Sequence, residues 1–325
     1  MKAVVYIKYG LSDVLEFKDV EKPTPNDNEV LIKVHAVSIN DWDWGLLQGT
    51  PFVNRLPRGI REPQHKILGS DIAGKIEAIG KNVSKFKPGD EVFGDICGSW
   101  GGLAEYVCAD ENSLLLKPDG MTYEEAAAIP QAGLLALQGL QNKIQIQPGQ
   151  KVLINGAGGG AGTFAIQIAK SYEAEVTGVD RTSKLGIMRS TGADYVIDYT
   201  QEDFTKNEQR YDLILDFAAH HSIFDYKRSL SARGHYIMIG GASRLFSQVM
   251  LLGPLITLIG SKKMGILMHK PNVGLASMMD LFEAGSVKPV IDRRYSLSEA
   301  PEAFKYFGEG QAKGKLVITL THSND

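Results

Sequence analysis

Cysteine is nearly absent: Cys97 and Cys108 are the whole complement of a 325-residue chain. Two thiols cannot build a disulfide framework or the four-thiolate lobe of a structural zinc site, and they point to a reducing, cytoplasmic setting. An excess of one charge is lacking as well. Against 35 basic residues stand 38 acidic ones, a formal net charge of −3, and no basic block is dense enough to draw a phosphate backbone. Nucleic acid is therefore not an expected partner. Long hydrophobic runs are missing too. The apolar start of the chain ends at Lys8, too short for a secretory signal, and reads as a first strand. The most apolar segment, residues 249–268, is broken by Gly253-Pro254, Gly260 and Lys262-Lys263, short of the roughly 20 apolar residues that span a bilayer. No membrane role is expected of it; core packing is its first reading, with a homodimer contact or the substrate entrance as others.

What remains is the composition of an ordinary globular protein, long enough for two cores. Up to about Pro118, short β-branched runs (residues 29–34, 72–76, 91–93 and 104–107) alternate with Gly, Pro and Asn/Asp clusters, the pattern of a compact antiparallel β domain. At Thr122 the texture changes. Thr122-Tyr123-Glu124-Glu125 can close a capping box ahead of Ala126-Ala127-Ala128, which predicts a helix start. From Lys151, apolar strands (residues 152–154, 175–179, 195–197, 212–215, 236–239 and 255–259) alternate with helical stretches, which predicts a parallel sheet covered by helices. The closing run Lys315-Leu316-Val317-Ile318 needs a sheet to join, and the parallel one is complete, so the C-terminus is expected to return to the first domain.

The strongest motif is Asn155-Gly156-Ala157-Gly158-Gly159-Gly160-Ala161-Gly162, between an apolar strand and a helical face of Ala161, Phe164, Ala165 and Ile168. Missing side chains let the backbone approach a pyrophosphate, while N–H groups and the dipole at the helix start attract its charge. The register is open, because Gly156-x-Gly158-x-x-Ala161 and Gly156-x-x-Gly159-x-x-Gly162 both fit a dinucleotide fingerprint. No Lys-Ser/Thr pair follows, which excludes a P-loop. Asp180, ending the second strand, could accept hydrogen bonds from a ribose diol and select NAD(H). Arg181 and Lys184 pull toward the 2′-phosphate of NADP(H), with Asp180 then turned outward to pair with Arg181. The residues alone leave the two cofactors open.

Seven segments together resemble the medium-chain dehydrogenase/reductases: the glycine turn, Val37-Ser38-Ile39-Asn40-Asp41-Trp42-Asp43, Leu68-Gly69-Ser70-Asp71-Ile72-Ala73-Gly74, and residues 86–92, 101–106, 192–199 and 314–318. The resemblance implies an α/β protein with a GroES-like β-rich catalytic domain (residues 1–122 and 266–325), a Rossmann-fold cofactor domain (residues 123–265) and a cofactor cleft between them. Where the zinc alcohol dehydrogenases place a cysteine ligand this chain has Asn40, and where they have Gly-His-Glu it has Gly69-Ser70-Asp71. Two ligands are missing, so the zinc-free quinone oxidoreductase branch matches better and no metal is expected. That branch implies cofactor contacts at Gly158, Gly159, Gly160, Ala161 and Gly162 for the pyrophosphate, Lys184 for the 2′-phosphate, Tyr199 near the adenosine, and Ala219, Gly240 and Ala242 along the nicotinamide. It favours NADP(H) over NAD(H).

The implied reaction is hydride transfer to an electron-poor small molecule, a quinone or an α,β-unsaturated carbonyl. Asn40 would donate to the acceptor oxygen, with Trp44 and Trp100 lining an apolar slot; Asn40 bonding its own strand-end backbone, and the two tryptophans serving as packing, are the structural alternatives. No general acid is assigned, Asp43 reads as a turn residue, and the proton is expected from solvent. His220-His221 are expected to diverge and not to share a metal. Two other functions stay open: a cofactor-binding protein that acts through a partner, and an alcohol dehydrogenase with atypical ligands.

Overall fold

The computed structural model describes residues 1–50, 52–55, 59–141 and 146–322. Two units emerge: Met1–Gln131 with Pro271–Ala276 and Ile291–Asp325, and Ala132–Lys270 with Ser277–Val290. The units differ from the domains drawn from the sequence in that both borders lie further along the chain and Ser277–Val290, drawn with the first domain, clusters with the second unit. Helix Tyr123–Ala128, capped by Thr122 as expected, buries Ala126, Ala127 and Ala128 and packs on strands of the first unit. At the other border, the edge strand Lys263–Ile266 pairs with Leu230–Met238 and keeps its segment in the second unit.

The first unit is built on a sheet whose spatial order is Ile291–Ser296, Lys315–Thr319, Glu29–Ile39, Asp71–Ile79, Glu91–Asp95 and Leu115–Leu116, with Tyr106–Asp110 paired to the first half of Glu29–Ile39. Pairing is antiparallel apart from Ile291–Ser296 on Lys315–Thr319. The alternating pattern of Glu29–Ile39 accounts for its central place: Val30, Ile32, Val34 and Ile39 are all fully or nearly buried in one apolar cluster. Register then decides what meets at the sheet's end. Ile39 pairs with Leu316, Ser38 with Asp71, and Asp71 with Asp95, so Asn40, Asp71, Asp95 and Lys315 arrive side by side. A hairpin of Lys2–Val5 and Glu16–Asp19 stands apart as its own two-stranded sheet.

The second unit is a parallel sheet in the order Tyr195–Asp198, Glu175–Asp180, Lys151–Asn155, Tyr211–Asp216, Leu230–Met238 and Lys263–Ile266. The chain starts at the centre, steps outward to one side and then to the other, so the reversal of direction lies beside Lys151–Asn155. Helix Gly160–Ser171 follows that strand and buries Phe164, Ala165 and Ile168, as the periodicity predicts. Residues 255–259, read as a strand, instead end the helix Ser243–Ile259, and the sixth strand comes later, at Lys263–Ile266. A short apolar run does not reveal its period, and Pro254, which argued for a break, sits inside this helix. Gly253 lets the helix approach the edge strand, since a Cβ there would lie 2.9 Å from the Met264 carbonyl oxygen. Among the described residues no helix is long and apolar enough to cross a membrane.

The glycine turn is held by geometry that tolerates no side chains. Gly156 has φ +82°, and its N–H and that of Ala157 donate to the Val179 carbonyl oxygen at 2.9 and 3.1 Å. A Cβ on Gly162 would collide with the Gly156 carbonyl oxygen and the Ala157 backbone. Gly162→Ala should therefore push helix and turn apart and lower stability by about 1–3 kcal/mol, measured by urea unfolding without any ligand.

Candidate functional site

The second unit gathers most of the sequence-predicted contacts at the carboxyl ends of its strands. Gly159 is the extended residue before helix Gly160–Ser171, so the N–H groups of Gly160, Ala161 and Gly162 point forward without intrahelical acceptors. Gly158 lies against Lys184: a Cβ on Gly158 would sit 2.6 Å from the Lys184 Cβ. Asp180 is turned inward, not outward. Its Oδ2 accepts from the Gly158 N–H at 3.0 Å and its Oδ1 from the Arg181 N–H at 2.8 Å, with the Lys184 Nζ 4.0 Å away. The carboxylate thus braces the glycine turn and does not pair with the Arg181 guanidinium, because two backbone donors and an ammonium satisfy it in place. The half-buried Arg181 keeps its Nε buried and without a partner. Tyr199 stands 43% exposed nearby, its N–H donating to the Asp180 carbonyl oxygen at 3.1 Å.

Across the reversal point, Ala219, Gly240 and Ala242 are brought together. The Ala219 N–H donates to Gly240 at 3.2 Å and the Ala242 N–H to Ala219 at 2.8 Å, an approach so close that a Cβ on Gly240 would lie 2.7 Å from the Phe217 carbonyl oxygen. Sequence reasoning missed the anchor beneath them. Asp216, buried at its strand end, accepts from Asn155 Nδ2 at 2.7 Å, Tyr236 Oη at 3.0 Å and the Ala218 N–H at 3.2 Å, and burial raises its carboxyl above the usual range. His220 and His221 do not diverge as expected: their rings lie 4.0 Å apart, because the chain turns sharply after the strand, and His221 also faces Asp203 at 3.6 Å.

In the first unit the functional candidates meet a buried polar cluster. Asn40 ends strand Glu29–Ile39 and precedes helix Asp41–Gln48; it is 5% exposed. Lys315 Nζ donates to Asn40 Oδ1 and, at 3.2 Å, to the Ile39 carbonyl oxygen. Asp71 accepts the Gln131 N–H at 2.9 Å, and Asp95 accepts the Cys97 N–H at 2.9 Å. Asp43 is no exposed turn residue but fully buried: it accepts from the Asn40 and Gly69 N–H groups, both at 2.9 Å, and ties the helix start to the Gly69-Ser70-Asp71 segment. Burial pushes the Asp43 carboxyl up to about 7 and the Asp71 carboxyl well above the usual range, the Asp95 charge adding to the latter and Lys315 opposing. Asn40 Nδ2, Ser70 Oγ, Asp71 Oδ1 and Gln131 Nε2 are buried without a hydrogen-bond partner. Neither spacing nor periodicity could have found Lys315 or Gln131, which only sheet register and a chain crossing bring here.

As donors for a catalytic zinc these residues do not fit. Two amides, a hydroxyl and carboxylates grouped about an ammonium are not a cysteine-and-histidine set, and a cation already neutralises the place a second would take. Trp44 and Trp100 belong to the packing of the same unit. Trp100 is 3% exposed, and Trp44 lies against Gly308 and Phe307. Specificity is a property of loops, and in the loop-rich stretch 45–64 positions 51 and 56–58 lie outside the described residues.

Two family models match the chain: alcohol dehydrogenase GroES-like domain over residues 26–119 and zinc-binding dehydrogenase over residues 191–318. A chloroplastic quinone-oxidoreductase of Triphysaria versicolor is 35% identical, the match covering 98% of each chain. The 2-methylene-furan-3-one reductase of Solanum lycopersicum is 32% identical over 98% of this chain and 79% of its own. Among solved structures, the quinone oxidoreductase of Coxiella burnetii superposes with a TM-score of 0.87 at 28% identity, covering 99% of both chains.

The Asp43 carboxyl yields a pH-dependent expectation. Its folded pKa lies above the ordinary carboxylate value, so its contribution is fully present at low pH and declines as pH rises through about 7. Asp43→Asn, which like the protonated carboxyl offers one acceptor and one donor side but does not titrate, should cost no more than about 1 kcal/mol at pH 5 and less at pH 8 in urea unfolding.

Proposed function

The chain belongs to the medium-chain dehydrogenase/reductase family, in its quinone oxidoreductase-like branch, and from that premise we propose that it is a zinc-independent, NAD(P)H-dependent reductase of quinones or α,β-unsaturated carbonyls. What supports the proposal is that one chain carries, in its second unit, a glycine turn opening a helix after a parallel strand and, in its first, a buried polar cluster; among the described residues no group of His, Cys, Asp and Glu could hold a metal ion. When bound, the nicotinamide supplies a hydride. The protein's part is to hold and polarise. Gly160, Ala161 and Gly162 present N–H groups to the pyrophosphate beside the bare backbone of Gly158 and Gly159, Tyr199 flanks the adenosine, and Ala219, Gly240 and Ala242 leave a wall of small residues for the nicotinamide. Asn40 Nδ2 donates to the acceptor oxygen as negative charge develops there, and solvent supplies the proton that completes reduction. Without a Lewis acid, acceptors that are already electron-poor are the ones best served.

NADPH is the favoured cofactor in this reading. Asp180 spends its oxygens on the Gly158 and Arg181 N–H groups and offers little to a ribose diol, while Arg181 Nε lacks a hydrogen-bond partner in the same loop as Lys184, a setting suited to a 2′-phosphate. The test is the initial rate of NADPH and NADH oxidation by EDTA-treated protein with a small quinone and an enone. Saturable turnover with a lower KM for NADPH is expected, and Arg181→Ala should raise that KM about ten- to a hundredfold while sparing NADH. Tight cofactor binding without turnover would favour a partner-binding role, and loss of activity with EDTA, restored by zinc, an alcohol dehydrogenase with atypical ligands.

The unit with the parallel sheet also supports a homodimer. Helix Ser243–Ile259 leaves Met250, Leu251, Leu255, Leu258 and Ile259 exposed at 52–84%, next to the edge strand Lys263–Ile266. A second copy covering this face accounts for the apolar exposure. Sedimentation should show a dimer that Leu258→Glu/Ile259→Glu converts to monomer; a monomeric parent chain would retire the idea. The cytoplasmic setting inferred from the scarcity of cysteine completes the reading, and subcellular fractionation of the native protein tests it.

A further inference from the structure

The strangest group in the molecule is Lys315. It is 3% exposed, stands at the first position of the closing strand, and shares the end of the sheet with three buried aspartates. An ammonium costs several kcal/mol to bury and is retained only where partners compensate. Burial lowers the pKa of the Lys315 ammonium below its ordinary value, and the carboxylates of Asp71, Asp43, Asp41 and Asp95, in that order, oppose the desolvation and favour its charged form. Asp71 and Asp95 face each other across paired strands, a like-charge contact that destabilises a sheet unless a cation relieves it.

The same ammonium settles the orientation of Asn40. A lysine has donors and no acceptor, so the atom of the Asn40 amide that faces Nζ is the oxygen. The nitrogen is thereby turned away from the ammonium, and although the amide acts weakly on the Asp71 carboxyl against the burial that raises it, no oxygen there completes a hydrogen bond to Nδ2. Nδ2 is left buried and without a completed hydrogen bond, as is Gln131 Nε2. Buried orphan polar atoms are the points at which a water or a ligand oxygen is held.

We propose that Lys315 is the positioning residue of this site: a built-in cation that neutralises Asp71 and Asp95 and pins the Asn40 amide with its oxygen inward, so that Asn40 can act only as a donor. The charge role stands on the first unit alone; the role toward an acceptor rests on the function proposed above. A lysine of this kind does in part what a metal does elsewhere, fixing the groups around it, but it withdraws no electrons from a substrate and exchanges no ligands.

Two cycles test the proposal. In thermal unfolding, Lys315→Met, which keeps the volume and removes the charge, should lower Tm by about 10 °C, and adding Asp71→Asn should recover at least half of that fall. A cation that matters only for packing gives additive losses, and additive losses overturn the proposal. If Lys315→Met alone does not fold, a folded Lys315→Met/Asp71→Asn protein supports the charge role and an unfolded one refutes it. In steady-state kinetics, the double variant should lose kcat roughly a hundredfold with the NADPH KM unchanged, and a further Asn40→Ala change should add less than about threefold, because the amide is already unpinned. Wild-type kcat in the double variant overturns the orientation role. If Asn40→Ala alone keeps full activity, the reading of Asn40 as acceptor donor fails, while the charge role of Lys315 still stands or falls on the unfolding cycle.

Discussion

Bringing three carboxylates and an ammonium together inside a β-rich unit is the constraint on which its other features depend. The charges cannot be left in an apolar interior singly, so each is wired to backbone donors: Asp43 to Asn40 and Gly69, Asp71 to Gln131, Asp95 to Cys97. Those bonds fix where helix Asp41–Gln48 starts, where the Gly69-Ser70-Asp71 segment enters the sheet and how residues near Gln131 lie. Polarity here is a frame, and its geometry is specified more tightly than apolar packing alone would achieve.

In the second unit the corresponding constraint is steric. The turn after Lys151–Asn155 needs a positive φ at Gly156 and comes so close to the following helix that Gly162 admits no substituent. Asp180 then serves the turn instead of the solvent, clamping Gly158 from the next strand. A residue at the position of a ribose ligand can thus be recruited for scaffolding, and the balance of charge it leaves behind, Arg181 and Lys184, alters what the site prefers.

Sequence reasoning read the local features well because their causes are local. The Thr122 cap, the glycine turn, the alternation of strand and helix and the return of the closing strand all depend on residues within a few positions or on simple counting. It read the site less well because the deciding contacts are not local. Asp43 looks like a turn residue until its two donors are seen, Lys315 looks like a strand-edge charge until register sets it beside Asn40, and the direction of the Asp180 carboxylate has no signature in the chain. Residues 255–259 failed for another reason: apolar β-branched residues around a proline are as compatible with a buried strand as with the end of a long helix.

The bond between Lys315 and Asn40 joins residues 275 positions apart. On a ribosome adding about 5–20 residues per second, the aspartates and Asn40 emerge tens of seconds before their cation. Throughout that interval the whole of the second unit is being made and can fold as a unit, while the first must wait with its acidic groups hydrated or protonated. A strand made that much later therefore also carries the counter-ion that lets the first sheet close, and the nascent chain cannot complete this unit early.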